Sequence, residues 1–194
     1  MPHTLHLAGD EDADRLLAEN PFALLVGMLL DQQIPMEVAF SGPVKIKERL
    51  GDVDPGQIAA MDPAEFIAVF AEKPAVHRFP SSMAKRVQKL AESIATDYDG
   101  DATKLWTEGA PDGKKIFARL KALPGFGDQK ARIFLALLGK QFDLDAAGWR
   151  EAAGTYGNDD VHMSIADVTD EDSLLKVRTY KKEQKAKAKA DTGG

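Results

Sequence analysis

The sequence contains no cysteine among its 194 residues, and this absence excludes several chemistries at once. Without a thiolate the chain cannot form disulfides, bind zinc or an iron–sulfur cluster through sulfur, or use a cysteine nucleophile. Histidine does not replace cysteine, because His3, His6, His77 and His162 are scattered along the chain. We therefore expect no metal centre and no redox cofactor.

Long apolar runs are absent as well. The longest, from Phe22 to Leu30, is well short of the roughly 20 residues that a membrane-spanning helix needs, and no signal peptide precedes it. The period-two alternation that marks half-buried strands is nearly absent. The sequence therefore predicts an all-α, cytoplasmic protein that forms one helical domain over residues 1–194.

Charge is unevenly distributed along the chain. Residues 176–194 carry seven Lys or Arg against Glu183 and Asp191, a net charge of +5. The whole chain has a net charge of −6, so residues 1–175 have a net charge of −11. An acidic body disfavours indiscriminate nucleic-acid binding, which depends on neutralising phosphates, but it leaves room for a localised site. Residues 181–194 are expected to be a flexible basic tail, which is either a DNA-binding arm or a frayed, solvated helix end.

Apolar residues recur at helical spacing along most of the chain. Asn20-Pro21 predicts the start of a buried central helix that carries Phe22 to Leu30. A long amphipathic helix is predicted from Ser82 to about Tyr98. Thr169 or Asp170 is expected to cap the last helix.

The most informative segment is Leu123-Pro-Gly-Phe-Gly127, which separates two helical patterns between about residues 113 and 140. Pro124 ends the first helix, while Gly125 and Gly127 allow a tight turn and the close approach of another backbone. The second helix then begins with unpaired amides, an arrangement suited to binding phosphate. The basic residues Lys130 and Arg132 favour this interpretation over a packing or protein-contact element.

Three blocks together carry a family resemblance. Leu123 to Leu138 resembles the helix-hairpin-helix of the HhH-GPD superfamily of base-excision DNA glycosylases, with Ala131 where the two helices cross. The blocks Leu29-Leu-Asp-Gln-Gln-Ile-Pro35 and Phe79 to Ile94 match the same fold in order and spacing. The resemblance implies a two-lobed helical protein that binds double-stranded DNA, flips a damaged or mismatched base and cleaves its N-glycosidic bond. Two alternatives stay open, namely a non-catalytic DNA-damage-binding relative and a protein-interaction module that has kept the fold.

The resemblance also bears on lyase activity and on cofactors. Bifunctional members form a Schiff base through a lysine at the position that Gln129 occupies here, and Lys130 points about 100° away around the helix. We therefore expect a monofunctional enzyme, acting as a monomer. Superfamily hairpins often hold potassium or sodium through backbone carbonyls, which implies such an ion near Leu123 and Gly125, and no other cofactor.

No carboxylate stands where the family resemblance places the catalytic aspartate. The family's aspartate is expected about eighteen or nineteen residues after the lysine position, where this chain has Ala147 and Gly148. The candidates are Asp145, Asp167 and Asp31. Each has a structural alternative: Asp145 and Asp167 as capping or turn residues, and Asp31 as a surface residue at a helix end.

Residues expected to contact DNA come from two segments. Gln32 and Gln33 either contact DNA around the vacated base or satisfy backbone groups where the central helix breaks before Pro35. Phe126 is the aromatic best placed at the hairpin tip to wedge into the duplex. The predicted DNA-binding set is Gln32, Gln33, Pro124, Gly125, Phe126, Gly127, Gln129, Lys130 and Arg132.

Overall fold

Residues 3–193 are described by a computed structural model, and this part of the chain is helical and contains no strand. The expected all-α class is confirmed. The helices are α1 (Glu11–Glu19), α2 (Pro21–Leu30), α3 (Met36–Phe40), α4 (Gly42–Leu50), α5 (Pro55–Ala60), α6 (Pro63–Ala71), α7 (Pro80–Asp97), α8 (Lys104–Thr107), α9 (Gly113–Lys121), α10 (Asp128–Gln141), α11 (Trp149–Ala153) and α12 (Glu171–Thr192). Two 3-10 turns, Gly154–Gly157 and Ile165–Asp167, lie between α11 and α12.

Helix α2 is the buried centre that the sequence predicts. The Asn20 side chain caps it by accepting a hydrogen bond from Ala23 N at 3.0 Å, and Pro21 supplies the fixed backbone angle of the first turn. Every residue from Phe22 to Leu30 is buried. Gly27 allows Phe40 of α3 to approach, since a β-carbon at Gly27 would lie 2.6 Å from the Phe40 ring. Phe40 of α3 therefore packs directly against the backbone of α2 at Gly27.

The helices pack as two groups around one continuous apolar cluster. Helices α1 to α7 pack mainly with one another, with α7 lying against α5 and α6. Helices α8 to α11 form the second group, in which α10 contacts α9, α11 and both 3-10 turns. The predicted crossing residue Ala131 is fully buried on α10. The end of α2 and the start of α10 meet where the two groups join, because Lys130 of α10 donates to the carbonyls of Met28 and Leu29.

The C-terminal helix includes most of the expected basic tail. The tail expected to be flexible from residue 181 continues α12 as a helix to Thr192, with all residues from 182 to 193 exposed. Asp170 caps α12 by accepting from Ser173 N at 2.7 Å, as predicted. Alanine and lysine are good helix formers, so composition explains why the helix continues. No helix formed by residues 3–193 has the length and hydropathy needed to cross a membrane.

Candidate nucleic-acid interface

The hairpin, Leu123 to Gly127, is a tight turn whose shape depends on one glycine. Phe126 N donates to Leu123 O at 3.1 Å across the turn. Gly125 has φ +81°, the left-handed conformation that a turn of this kind requires after proline. A β-carbon at Gly125 would also lie 2.8 Å from Leu29 Cδ1 of α2. Gly125 therefore sets both the turn and the contact between the hairpin and α2.

The second hairpin glycine faces open space. Gly127 is the N-cap of α10 and has an ordinary negative φ, and a β-carbon there would meet nothing within 4 Å. No side chain caps this helix end, and the first N–H bonded within it is that of Ala131, to Gly127 O at 3.0 Å. Within residues 3–193 the amides of the first turn have no acceptor. Such a helix start attracts an anion.

Two charged side chains beside this helix start pair with each other. Arg132 Nε donates to Asp128 Oδ2 at 2.8 Å, and its Nη1 donates to Ala152 O at 2.8 Å. The Arg132 guanidinium also stacks 4.6 Å from the Phe117 ring centre. The hydrogen bond from Arg132 keeps the pKa of Asp128 below its ordinary value, and Lys121 lies 3.6 Å from the same carboxylate. Arg132 thus pairs with Asp128 beside the helix start, and its contact with phosphate stays a prediction.

Lys130 was also predicted to contact phosphate, and the structure corrects this. Its ammonium turns inwards and donates to the backbone carbonyls at the end of α2, namely those of Met28, Leu29 at 3.2 Å and Asp31 at 3.3 Å. Burial lowers the pKa of Lys130 to about 8, although the nearby Asp31 opposes the shift. Lys130 therefore caps the C-terminus of α2 and joins the hairpin to it.

A histidine completes the same cap. His77 is 1% exposed, and its Nε2 lies 3.2 Å from Leu30 O and 3.0 Å from Gln32 O, while Phe79 N donates to its Nδ1 at 3.0 Å. These contacts require the neutral imidazole with its proton on Nε2. Burial correspondingly lowers the pKa of His77. His77 is thus not available to phosphate, but it fixes the residues that follow α2.

The residues that follow α2, 31–35, are named here the Gln-Gln loop. Gln32 Nε2 donates to Leu29 O at 2.8 Å, so Gln32 satisfies the helix end, and its Oε1 accepts from Arg86 at 3.0 Å. Gln33 is exposed and has φ +62°. Of the two glutamines, Gln33 therefore remains accessible to a ligand.

Three parts of the chain meet at Asp31, the first residue of the Gln-Gln loop. The Asp31 side chain is 14% exposed, and its Oδ2 lies 3.7 Å from Lys181 Nζ of α12. Its backbone oxygen accepts from Lys130 of α10. Among the candidate carboxylates, Asp31 is the one that the fold brings to the junction of the hairpin, the Gln-Gln loop and α12.

The other two carboxylates are placed differently. Asp167 Oδ1 accepts from Lys140 Nζ at 2.6 Å, and its Oδ2 accepts from Met163 N at 2.9 Å and Ser164 N at 3.2 Å. The Asp167 side chain is 4% exposed and closes a capping box, so its structural alternative is correct. Asp145 is exposed after α10, and no side chain within residues 3–193 is paired with it.

The aromatic expected at the hairpin tip lies in the core. Phe126 is 7% exposed and packs edge-to-face on Phe134, with ring centres 6.2 Å apart. The exposed aromatic is instead Phe79, which is 40% exposed at the start of α7 and lies beside Arg78. Its backbone contact with His77 ties it to the Gln-Gln loop. Sequence reasoning missed Phe79, because only the fold shows that it is exposed next to this loop.

At the position of the family lysine, Gln129 Nε2 donates to Tyr156 OH at 3.1 Å. Leu123 O accepts one hydrogen bond and Gly125 O accepts none within residues 3–193, so both oxygens have lone pairs suited to a hard cation. No group of three or more His, Asp or Glu in the described part of the chain could hold a metal ion.

Comparison with known proteins gives one match. The family model described as HhH-GPD superfamily base excision DNA repair protein matches residues 26–192. This range contains the Gln-Gln loop, the hairpin and all of α12. No curated protein and no solved structure matches the chain.

Proposed function

The chain belongs to the HhH-GPD superfamily of base excision DNA repair proteins, and on this premise we propose that it is a monofunctional DNA glycosylase. It would hydrolyse the N-glycosidic bond of a damaged or mismatched base in double-stranded DNA. The observation that carries this proposal is the position of Asp31 beside both the hairpin helix α10 and the exposed Gln33.

DNA binding begins at the hairpin in this proposal. A backbone phosphate lies over Gly127 and accepts hydrogen bonds from the first amides of α10, which have no other acceptor within residues 3–193. The open space at Gly127 supports this, because a β-carbon there would meet no protein atom. A potassium or sodium ion held by the Leu123 and Gly125 carbonyls would add positive charge beside the phosphate.

Base flipping needs groups that fill the space the base leaves. Gln33 and Phe79 suit this role, since both are exposed and both flank the capped end of α2. An aromatic ring can enter a base step, while an amide can hydrogen-bond to the unpaired partner base. We assign the wedge to Phe79 in place of the buried Phe126.

Asp31 supplies the negative charge for the chemical step. The C1′–N bond breaks with its electron pair leaving on the base, and positive charge develops on the sugar, which the carboxylate stabilises. Water then adds at C1′ and Asp31 takes its proton. Lys181 Nζ lies 3.7 Å from Asp31 Oδ2, and Lys130 of α10 donates to the backbone oxygen of the same residue, so two positive charges lie beside Asp31.

A lyase step is not part of the proposal. A Schiff base needs a free amine that reaches C1′, but Gln129 stands at the family position and Lys130 donates to three carbonyls of α2 and the residue after it. We further propose that the protein is a cytoplasmic monomer. The monomeric state is supported by the small number of large apolar side chains exposed within residues 3–193, namely Val38, Phe79 and Leu175.

One observation favours a second candidate function, a non-catalytic DNA-damage-binding protein. The positions where the family aspartate is expected, Ala147 and Gly148, are exposed and carry no carboxylate. In this reading Asp31 would serve only to hold α12 against the Gln-Gln loop.

A panel of lesion-bearing duplexes tests the choice between the two functions. The wild-type protein is incubated with duplexes containing uracil, an alkylated purine, oxidised guanine or mismatched adenine, and alkali then cuts at any abasic site. We expect release from at least one lesion, with no strand cut before alkali and no protein–DNA adduct trapped by borohydride. Tight binding to an abasic-analogue duplex without release of any base would favour the non-catalytic function.

A further inference from the structure

The exposed half of α12 carries an ordered row of positive charge. With about 100° of rotation per residue, the five residues named here the basic stripe fall within an arc of about 100° on one side of the helix. The basic stripe consists of Arg178, Lys181, Lys182, Lys185 and Lys189. The acidic residues Glu183 and Asp191 lie on the opposite side, so the helix has one basic face.

Two ion pairs fix the direction of this stripe. Arg178 pairs with Glu37 at the start of α3, and Lys181 lies 3.7 Å from Asp31. Val177 is buried one turn before Lys181, so the helix is packed up to this point. The stripe therefore starts at the Gln-Gln loop and runs outwards along α12.

The outer part of the stripe has no partner within the described chain. Lys182, Lys185 and Lys189 are exposed, and no carboxylate within residues 3–193 lies within ion-pair distance of them. Lys181, Lys185 and Lys189 follow one another at a spacing of four residues, where like charges repel. An external anion would relieve this repulsion, and a row of anions would fit it better than a single one.

We infer that the outer part of the basic stripe, Lys182, Lys185 and Lys189, binds the phosphate backbone of the same DNA duplex, beside the nucleotide that the proposed function would flip. This inference rests on the proposed glycosylase function for the position of the duplex. From Lys182 to Lys189 the helix rises about 10 Å, at about 1.5 Å per residue, which is long enough to follow several successive phosphates.

An anionic membrane fits the stripe less well. Beyond Lys181 the exposed part of α12 contains alanine as its only apolar residue type, whereas an interfacial helix needs a face of large apolar side chains. The body of the protein is acidic, so the positive charge is concentrated where the duplex would lie.

A charge-matched pair of variants tests the inference. The stripe variant is Lys185→Gln with Lys189→Gln. The control variant is Lys176→Gln with Lys187→Gln, which removes the same charge from the other side of the same helix. For each, the dissociation constant for an abasic-analogue duplex is measured across salt concentrations, with circular dichroism to check the helix.

We expect the slope of log affinity against log salt to fall in magnitude by about 1.8 for the stripe variant, since each lost phosphate contact removes about 0.9. The control slope should match the wild type. Equal slopes for both variants, or stronger loss of binding to anionic phosphatidylserine vesicles than to the duplex, would overturn the inference. If the wild type releases no base while the two slopes still differ, the proposed function fails and the stripe stands.

Discussion

Replacing the two hairpin glycines by alanine should have different effects, since Gly125→Ala should lower stability and Gly127→Ala should lower DNA affinity. At Gly125, φ is +81° and the new β-carbon would lie 2.8 Å from Leu29 Cδ1. The left-handed backbone costs about 1–2 kcal/mol for a residue with a side chain, and overpacking costs about 1–3 kcal/mol. Reduced freedom of the unfolded chain returns about 0.4–1 kcal/mol. We expect Gly125→Ala to lower the free energy of unfolding by about 2–4 kcal/mol.

Gly127→Ala is the matched control for stability. Its φ is negative and its β-carbon would meet no protein atom, so we expect a change within about 0.5 kcal/mol. The new methyl group would instead stand where the phosphate lies. Loss of one hydrogen bond to a charged group costs about 1.5–3 kcal/mol, so duplex affinity should fall about tenfold or more.

Thermal unfolding and duplex binding of both variants separate these effects. A protein of this size loses about 2–4 °C in Tm per kcal/mol, so Gly125→Ala should melt about 5–15 °C below the wild type, and Gly127→Ala within about 2 °C of it. A wild-type Tm for Gly125→Ala would refute the contact with Leu29. Wild-type duplex affinity for a folded Gly127→Ala would refute the phosphate site.

Three further predictions concern the side chains around the site. Lys130 should titrate by NMR with a midpoint near pH 8. Because its pKa is lower in the folded state, the wild type should gain stability relative to Lys130→Met as pH rises from about 8 to 10.5. A difference in unfolding free energy between the two proteins that does not change with pH would contradict this. Asp167→Asn should lower the free energy of unfolding by about 3 kcal/mol in denaturant titration, since it breaks a buried ion pair with Lys140. The rate of base release from a lesion should not change. Loss of base release in a folded variant would return Asp167 to the catalytic candidates. Phe79→Ala should alter stability by less than about 1 kcal/mol because the ring is partly exposed, but weaken flipping as seen by 2-aminopurine fluorescence, whereas unaltered flipping would exclude the wedge role.

Local patterns explain which parts of the fold could be predicted. Asn20-Pro21, the apolar run of α2 and the Pro-Gly-x-Gly turn each act through neighbours in sequence, and the structure and the family match confirm them. The family resemblance predicts Ala131 as the residue where the two hairpin helices cross, and Ala131 is fully buried. Such features depend on few long-range contacts, so sequence alone is sufficient.

Side-chain partners distant in sequence could not be predicted. Lys130 bonds to carbonyls about a hundred residues earlier, and its rotation around α10 decides that it caps α2 instead of contacting phosphate. The same applies to Phe126, which is buried because α10 brings Phe134 beside it. The helical course of α12 agrees with one of the two alternatives for the tail, a solvated helix end, and it follows from the helix propensity of alanine and lysine.

The role of Asp31 is tested most directly by single-turnover base release with saturating protein, on a lesion that the wild type processes. Asp31→Asn keeps the size of the side chain and should bind the duplex within about threefold of the wild type, yet release the base at least about a hundredfold more slowly. Asp145→Asn, its matched control on the loop after α10, should retain the wild-type rate. Release at the wild-type rate by Asp31→Asn would contradict the account.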